Sequence, residues 1–382
     1  MKNAITTLRI QNFKSIKDVE MKPRRVNIII GEPNVGKSNI LEAISLLGGM
    51  FFDGDKFMEG QIRYEAIRNL FYDNDWSKEI IVTGEGVGAT RIRKRLEQAE
   101  VVFGDGGMRR ARGLISASDS DKLLIEHRQH KELLIQQQDK HLLVNYEDKN
   151  HFHELINKDG STSIIQLSEP QPPIYVKKYS FQKQARYGKS HHQSFLRPPF
   201  GDNLMEVIQT APSGFRKVVA AFFTPFGLSL AQRTEEQKLE IQKNEDGIIT
   251  SIPYSLIADT LQRLIFYLAA IESNTDAVIL LEEPEAHSYP VYVSQLGQRI
   301  VESRDNQFFV ATHSPYLITE ILEEMLTDDE LMPELAMFVT YYEDYQTKVR
   351  QLSDKEVVAI RADGLDVFYN MARFVPGPDN KL

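Results

Sequence analysis

Val26-Asn27-Ile28-Ile29-Ile30 runs directly into Gly31-Glu32-Pro33-Asn34-Val35-Gly36-Lys37-Ser38-Asn39. The first five residues form the short, β-branched run expected of a strand buried on both faces. The next eight match G-x-x-x-x-G-K-[ST] without a mismatch, and Ile40, Ile44 and Leu47 then recur at helical spacing before Gly48 and Gly49. Strand, glycine-rich turn and helix in that order predict a phosphate-binding loop. The glycines let successive backbone N–H groups curl around phosphate oxygens, and the positive end of the helix adds to the field. Gly31, Glu32, Pro33, Asn34, Val35, Gly36, Lys37, Ser38 and Asn39 are the expected cradle, with Lys37 bridging the β and γ phosphates of ATP and Ser38 ligating Mg²⁺.

Two downstream segments supply what a phosphate loop alone lacks. Ala277 to Leu281 is an apolar strand that ends in Glu282-Glu283-Pro284-Glu285-Ala286-His287. Adjacent carboxylates at the end of a buried strand are costly unless they meet a cation or a water to polarise, and in an α/β sheet that edge is where ligands bind. Side chains alternate along a strand, so Glu282 is expected at the metal and Glu283, at the exit, as the base for an attacking water. Thr312-His313-Ser314-Pro315 follows a second buried strand, Gln307 to Ala311, and a neutral His313 there is placed to sense the γ phosphate.

Composition sets the outer limits. The chain has 382 residues, 42% hydrophobic and 26% charged, with 45 basic and 54 acidic side chains giving a formal charge of -9. A mainly disordered chain is excluded. Cysteine is absent, which removes disulfide scaffolds and thiolate metal sites and agrees with a cytoplasmic location. The most apolar stretch, Val218 to Ala231, is too short for a bilayer and is broken by Thr224, Pro225 and Gly227, so no membrane association is expected. The first residues, MKNAITTLRIQNF, lack a signal-peptide pattern.

The pattern along the chain predicts an α/β fold with a mixed, largely parallel sheet and a β-rich insertion. Residues 1–52 form a first lobe with the phosphate loop. Residues 53–173 carry short alternating segments such as IIVTG, KLLIEH, ELLIQQ and HLLVNY between turn residues, the signature of the insertion. Residues 174–330 hold a loop (171–201), helices near 204–208 and 215–223, a hairpin turning at Asn244 to Gly247, an amphipathic helix over 257–272 and the two motif-bearing strands. Residues 331–382 add two strands and a helix from about Lys355.

The segments LRIQNFKSI (8–16), GEPNVGKSN (31–39), VILLEEPEAHSYP (278–290) and FFVATHSPYLI (309–318) together resemble ATP-binding-cassette type ATPases of the SMC, RecF and OLD group, including the ATPase part of OLD-family and anti-phage defence proteins. The resemblance implies a P-loop NTPase whose lobes are split by an insertion. It also implies Mg²⁺-dependent ATP hydrolysis between the heads of a homodimer or higher homo-oligomer, control of a separate effector protein, and a role in DNA repair or anti-phage defence. Phe13, Lys14 and Ser15 match the family position near the nucleotide base; core packing is the competing reading of Phe13. Gln182, Gln184 and Gln193 are candidates for the glutamine that links the lobes. The segment that would complete a partner's site, Ser255 to Arg263, lacks the family's glycine, and Glu282 stands where the family has Asp. The altered segment also admits a nucleotide-binding switch with negligible hydrolysis. No D-x-D pair follows, so no Toprim nuclease is expected.

Nucleic acid is a further candidate partner. Lys177, Lys178, Lys183, Arg186, Lys189 and Arg197 lie among Tyr179, Phe181, Tyr187 and Phe195, with His191 and His192 between them. Cations that neutralise phosphates among aromatics that stack on bases make a plausible strip; a solvated loop is the alternative. Arg91, Arg93, Lys94 and Arg95 form a second cluster, readable as a charged strand face.

Overall fold

A computed structural model of the protein describes residues 1–48, 57–75, 77–94, 123–129, 151–156, 162–166, 175–188, 194–364 and 366–376. Strands β1 (Leu8–Phe13) and β2 (Ile16–Met21) form an antiparallel ribbon, β3 (Val26–Ile30) follows, and the phosphate loop leads into α1 (Lys37–Ser45). Strands β4 (Ile80–Gly84), β5 (Gly88–Lys94), β6 (Leu123–Gln129), β7 (His151–Ile156) and β8 (Thr162–Gln166) extend that ribbon into a seven-stranded antiparallel sheet ordered β2-β1-β4-β5-β6-β7-β8. The strands after position 53 are thus hydrogen-bonded onto β1, with Leu8 opposite Gly84 and Ile10 opposite Val82. The segments ELLIQQ and HLLVNY, together with Arg95, lie outside the described residues.

Next come β9 (Val176–Tyr179), α2 (Leu204–Thr210), α3 (Ser213–Ala221) and a three-stranded sheet of β10 (Leu228–Arg233), β11 (Lys238–Glu245) and β12 (Ile248–Pro253). The hairpin turns at Asp246-Gly247, both at positive φ, where the two-residue turn demands left-handed backbone. The chain closes with α4 (Asp259–Glu272), β13 (Val278–Glu282), α5 (Pro290–Glu302), β14 (Gln307–Ala311), α6 (Pro315–Leu326), β15 (Leu335–Glu343), β16 (Gln346–Gln351) and α7 (Asp354–Ala362).

The second large sheet has the order β16-β15-β3-β14-β13-β9, and every pairing in it is parallel except β15 with β16. The expected mixed, mainly parallel α/β sheet is therefore present. Its central strands β3, β14 and β13 read as near-continuous apolar runs because both faces are covered. Val26, Ile28, Ile30, Ile279, Leu281, Phe308 and Val310 face one core, shared with α4, α5 and α6. Ile29, Val278, Leu280, Phe309 and Ala311 alternate to the other, shared with α1 and the first sheet. Layering in this way places the C-terminal ends of β3, β13 and β14 side by side, and all three motifs begin there.

One expectation is corrected. Residues 171–201 read as loop, yet Val176–Tyr179 is the edge strand β9, paired with β13 from Val278↔Val176 to Leu281↔Tyr179. Two adjacent lysines hide a strand that is buried on both faces, because no polar–apolar alternation marks it.

Candidate functional site

Gly36 caps α1 in a left-handed conformation, φ 103°, which strongly favours glycine. A Cβ on it would lie 2.1 Å from Thr347 Oγ1, so the loop can pack against β16 only with glycine here. The buried Lys37 ammonium folds back and donates to Gly31 O and Glu32 O, both at 2.8 Å. Burial pushes its pKa down to about 8, while the Glu283 and Glu282 carboxylates pull it back up. Val35 is buried, whereas Glu32, Pro33 and Asn34 are exposed.

A polar relay holds the loop from behind. Asn39 Nδ2 donates to Ser15 Oγ at 2.7 Å, Ser15 Oγ meets Thr347 Oγ1 at 2.6 Å, and Thr347 Oγ1 donates to Val35 O at 2.8 Å. Because the Thr347 hydroxyl gives its proton to Val35, the proton between the two hydroxyls comes from Ser15. Neighbouring Phe13 is fully buried in the core, so its ring is packing and cannot meet a nucleotide base. Lys14 is committed to Glu42, a fully buried carboxylate on α1, and to Arg63 O; burial lowers the Lys14 pKa against the pull of Glu42.

Glu282 ends β13 on the α1 side. Its carboxylate meets Lys178 Nζ at 3.0 Å and Arg63 Nη2 at 3.3 Å, and the nearby Ser38 hydroxyl helps to hold it ionised. Burial raises the Glu282 pKa, but Lys178, Ser38 and Arg63 outweigh it and hold the group below its ordinary value. The Ser38 hydroxyl at the start of α1 and the Glu282 carboxylate at the end of β13 are hard oxygen donors of the kind Mg²⁺ takes, and both carboxylate oxygens also meet cations, Oε2 that of Lys178 and Oε1 that of Arg63.

Glu283 leaves the strand at φ 43°, an uncommon conformation for a side-chain-bearing residue, and its N–H donates to Ala311 O at 2.8 Å, which ties β13 to β14. Its exposed carboxylate lies 3.6 Å from His313 Nε2. Burial lowers the His313 pKa, the Lys37 charge lowers it further, and Glu283 opposes both. The structure therefore brings Lys37, Ser38, Glu282, Glu283 and His313 to one sheet edge.

Several residues of this site carried no signal in the sequence. Glu285 is buried and accepts from the Thr312 hydroxyl at 2.5 Å and from His313 N at 3.1 Å. Lys178, Arg63, Glu42 and Thr347 are held by contacts across the fold, and only their partners could have revealed them. Of the lobe-linking candidates, Gln182 is exposed, Gln184 donates to Phe200 O at 2.8 Å, and Gln193 lies outside the described residues. In the segment 255–263, Gln262 Nε2 donates to Ile257 O at 2.9 Å, and Thr260 Oγ1 donates to His287 O at 2.8 Å, linking α4 to the loop after Glu283.

Among the described residues, the candidate nucleic-acid strip does not form one continuous surface. Lys177 and Lys178 are buried in β9, and Tyr179 and Tyr187 belong to the core. Phe181 packs edge-on against Phe266, Phe195 lies under Lys177, and Arg197 pairs with Asp202 at 3.1 Å. Lys183 and Arg186 remain exposed, whereas Lys189, His191 and His192 lie outside the described residues. Lys177, Lys178, Tyr179 and Tyr187 are thus spoken for by the fold and drop out of that strip. Among the described residues no helix is long and apolar enough to cross a membrane.

No curated protein matches the chain. It is similar, at 14% identity in each case, to three solved structures. The SmcHead bound to the C-winged helix domain of ScpA has a TM-score of 0.44, covering 94% of this chain and 100% of that one. The SMC head domain from Thermotoga maritima has 0.37, covering 92% and 99%. The Smc head domain with an extended coiled coil bound to the C-terminal domain of ScpA, derived from Pyrococcus furiosus, has 0.44, covering 94% and 99%. A family model matches residues 26–319, which span β3, the phosphate loop, Glu282, Glu283 and His313. With its phosphate loop, strand-end carboxylates and histidine all inside that match, the chain belongs to the family described as "AAA domain, putative AbiEii toxin, Type IV TA system".

Proposed function

We propose that the protein binds ATP with Mg²⁺ at the 31–39 loop and hydrolyses it, and that the nucleotide state governs self-association and the control of a partner protein. The observation that carries this reading is the convergence of Lys37, the Ser38–Glu282 pair and the Glu283–His313 pair on one edge. The loop N–H groups and Lys37 bind the phosphates, Ser38 and Glu282 hold the ion, and bound Mg²⁺ supplies positive charge on the phosphate oxygens. Glu283 takes the proton of the attacking water, and His313, neutral at pH 7, donates or accepts at the transferred phosphoryl group. The family description mentions a toxin–antitoxin system, which favours a defence setting over DNA repair.

Phosphate release by wild type and Glu283→Gln tests the chemistry. Loss of a general base costs about 10²–10⁴-fold in rate, and equal turnover in both proteins removes Glu283 from that role. A second reading, a switch that assembles on ATP with negligible turnover, is favoured by Ala258 and Asp259 standing where a glycine would admit close approach to a partner's nucleotide. Oligomer mass measured with and without ATP separates the two: assembly without phosphate release supports the switch.

A further inference from the structure

Glu282 has a fixed cation of its own. In the parallel register of β9 with β13, Lys178 lies opposite Leu280. Leu280 and Glu282 share a face by the two-residue period, and that face looks onto α1, where Ser38 sits. The Lys178 stem runs up this face, with the side chain 3% exposed, and its ammonium donates to Gln61 O at 3.0 Å and meets Glu282 Oε2 at 3.0 Å. Arg63 also touches Glu282, but its side chain is 70% exposed and it divides itself between Glu282 and Glu42. Lys178 is therefore the permanent charge at this carboxylate, and Arg63 the peripheral one.

Such an arrangement is unusual beside a metal position. A divalent ion is favoured where carboxylate oxygens are free and net negative charge is high. Here an ammonium already occupies one oxygen of Glu282, the carboxylate that interacts with Ser38 of the phosphate loop and with the Lys37 charge. We propose that Lys178 is a built-in monocation that supplies part of the charge a divalent ion would otherwise bring, so that a nucleoside triphosphate still binds here when divalent cation is withdrawn. The proposal rests on the reading of the 31–39 loop as a triphosphate site and concerns a residue outside that loop.

The experiment is equilibrium binding of a fluorescent ATP analogue to the full chain, in excess Mg²⁺ and in excess EDTA, for wild type, Lys178→Met and Glu282→Gln. Wild type is expected to weaken by no more than about tenfold in EDTA, and Lys178→Met by about a hundredfold or more, because it loses the buried charge and leaves Glu282 with only the exposed Arg63. Glu282→Gln releases the ammonium from its partner and is expected to bind in EDTA more tightly than wild type; this arm decides the matter if Lys178→Met does not fold. Wild-type binding that appears only with Mg²⁺ overturns the proposal and leaves the triphosphate site standing. So does the same ratio of the two affinities in wild type and Lys178→Met, or a Glu282→Gln protein no tighter than wild type in EDTA. Absence of wild-type binding under both conditions overturns the triphosphate site, and the proposal with it.

Discussion

The Glu285 carboxylate accepts the backbone N–H of His313 at 3.1 Å, across 28 positions of chain, and so fixes the exit of β14 to the exit of β13. The same oxygen takes the Thr312 hydroxyl at 2.5 Å, while its other oxygen, Oε2, is buried without a hydrogen-bond partner. Burial raises the Glu285 pKa. Burial favours the protonated form, while the bonds from Thr312 and His313 to one oxygen pull the other way.

That geometry makes Glu285 a positioning residue with a specific test. Glu285→Gln keeps the accepting oxygen and is expected to retain turnover within about threefold, whereas Glu285→Ala leaves Thr312 and His313 unsatisfied and is expected to lose about 10–100-fold in kcat with little change in nucleotide affinity. The stability signs are opposite. A raised folded pKa means that the folded chain holds a proton the unfolded chain has lost, so wild-type stability declines as pH rises through the folded value. Gln escapes that loss, and its melting temperature should gain on wild type as pH increases. A Gln variant as inactive as Ala would show that the carboxylate charge, rather than its hydrogen bonding, is needed.

His313 sets the acid limb of the reaction. Burial first, and the Lys37 charge second, lower its pKa below 6.5, so the imidazole stays neutral through the neutral range. Turnover is expected to hold level as pH falls to 6.5 and to drop only below it. Between the folded value and 6.5 the unfolded chain binds more protons, so stability also falls with falling pH in that window. A pH–rate profile of wild type against His313→Gln reads this directly; an acid limb of equal position and depth in both proteins would assign it to another group.

What was legible in the sequence was the chemistry carried by local pattern. Glu282 ends a short apolar strand, Glu283 and His313 follow such strands within two residues, and Lys37 follows β3 across the glycine-rich loop; a parallel sheet brings such strand ends together. The support around them was not legible, because it is made by pairs distant in the chain. Ser15 and Thr347 are 332 positions apart, and nothing near Thr347 marks it as a loop partner. The Lys177–Lys178 pair was read by charge as a surface, where burial between two sheet faces turns the same residues into a strand.

The Ser15–Thr347 pair makes its own prediction. Thr347→Val keeps the shape and removes the hydroxyl, leaving Val35 O and Ser15 Oγ without their partner beneath the phosphate loop. About 1–2 kcal/mol of stability is expected to be lost. Nucleotide affinity should fall about fivefold or more, since the loop is no longer held in its binding shape. Gly36→Ala should act more severely, as its Cβ meets Thr347 Oγ1 at 2.1 Å in a backbone conformation that penalises any side chain. Isothermal titration of both variants with nucleotide is the measurement; undiminished affinity in Thr347→Val would show that the relay does not shape the loop.

Lys177 offers a test of the buried strand that is independent of nucleotide. Its ammonium donates to Asn274 Oδ1 and lies 3.5 Å from the centre of the Phe195 ring, in a setting that leaves the residue 5% exposed. Burial pushes its pKa down to about 7 from 10.5. Between those values the unfolded chain binds more protons than the folded one, so wild-type stability rises with pH across that window and is lowest below it. Lys177→Met has the same stem length and no charge, and it forfeits the Asn274 bond, worth about 1 kcal/mol. Its stability relative to wild type should therefore be most favourable at pH 6 and decline by about 3 kcal/mol by pH 9. Urea unfolding of both proteins at the two pH values measures the difference, and parallel pH dependence in the pair would mean that Lys177 keeps an ordinary ammonium in the fold.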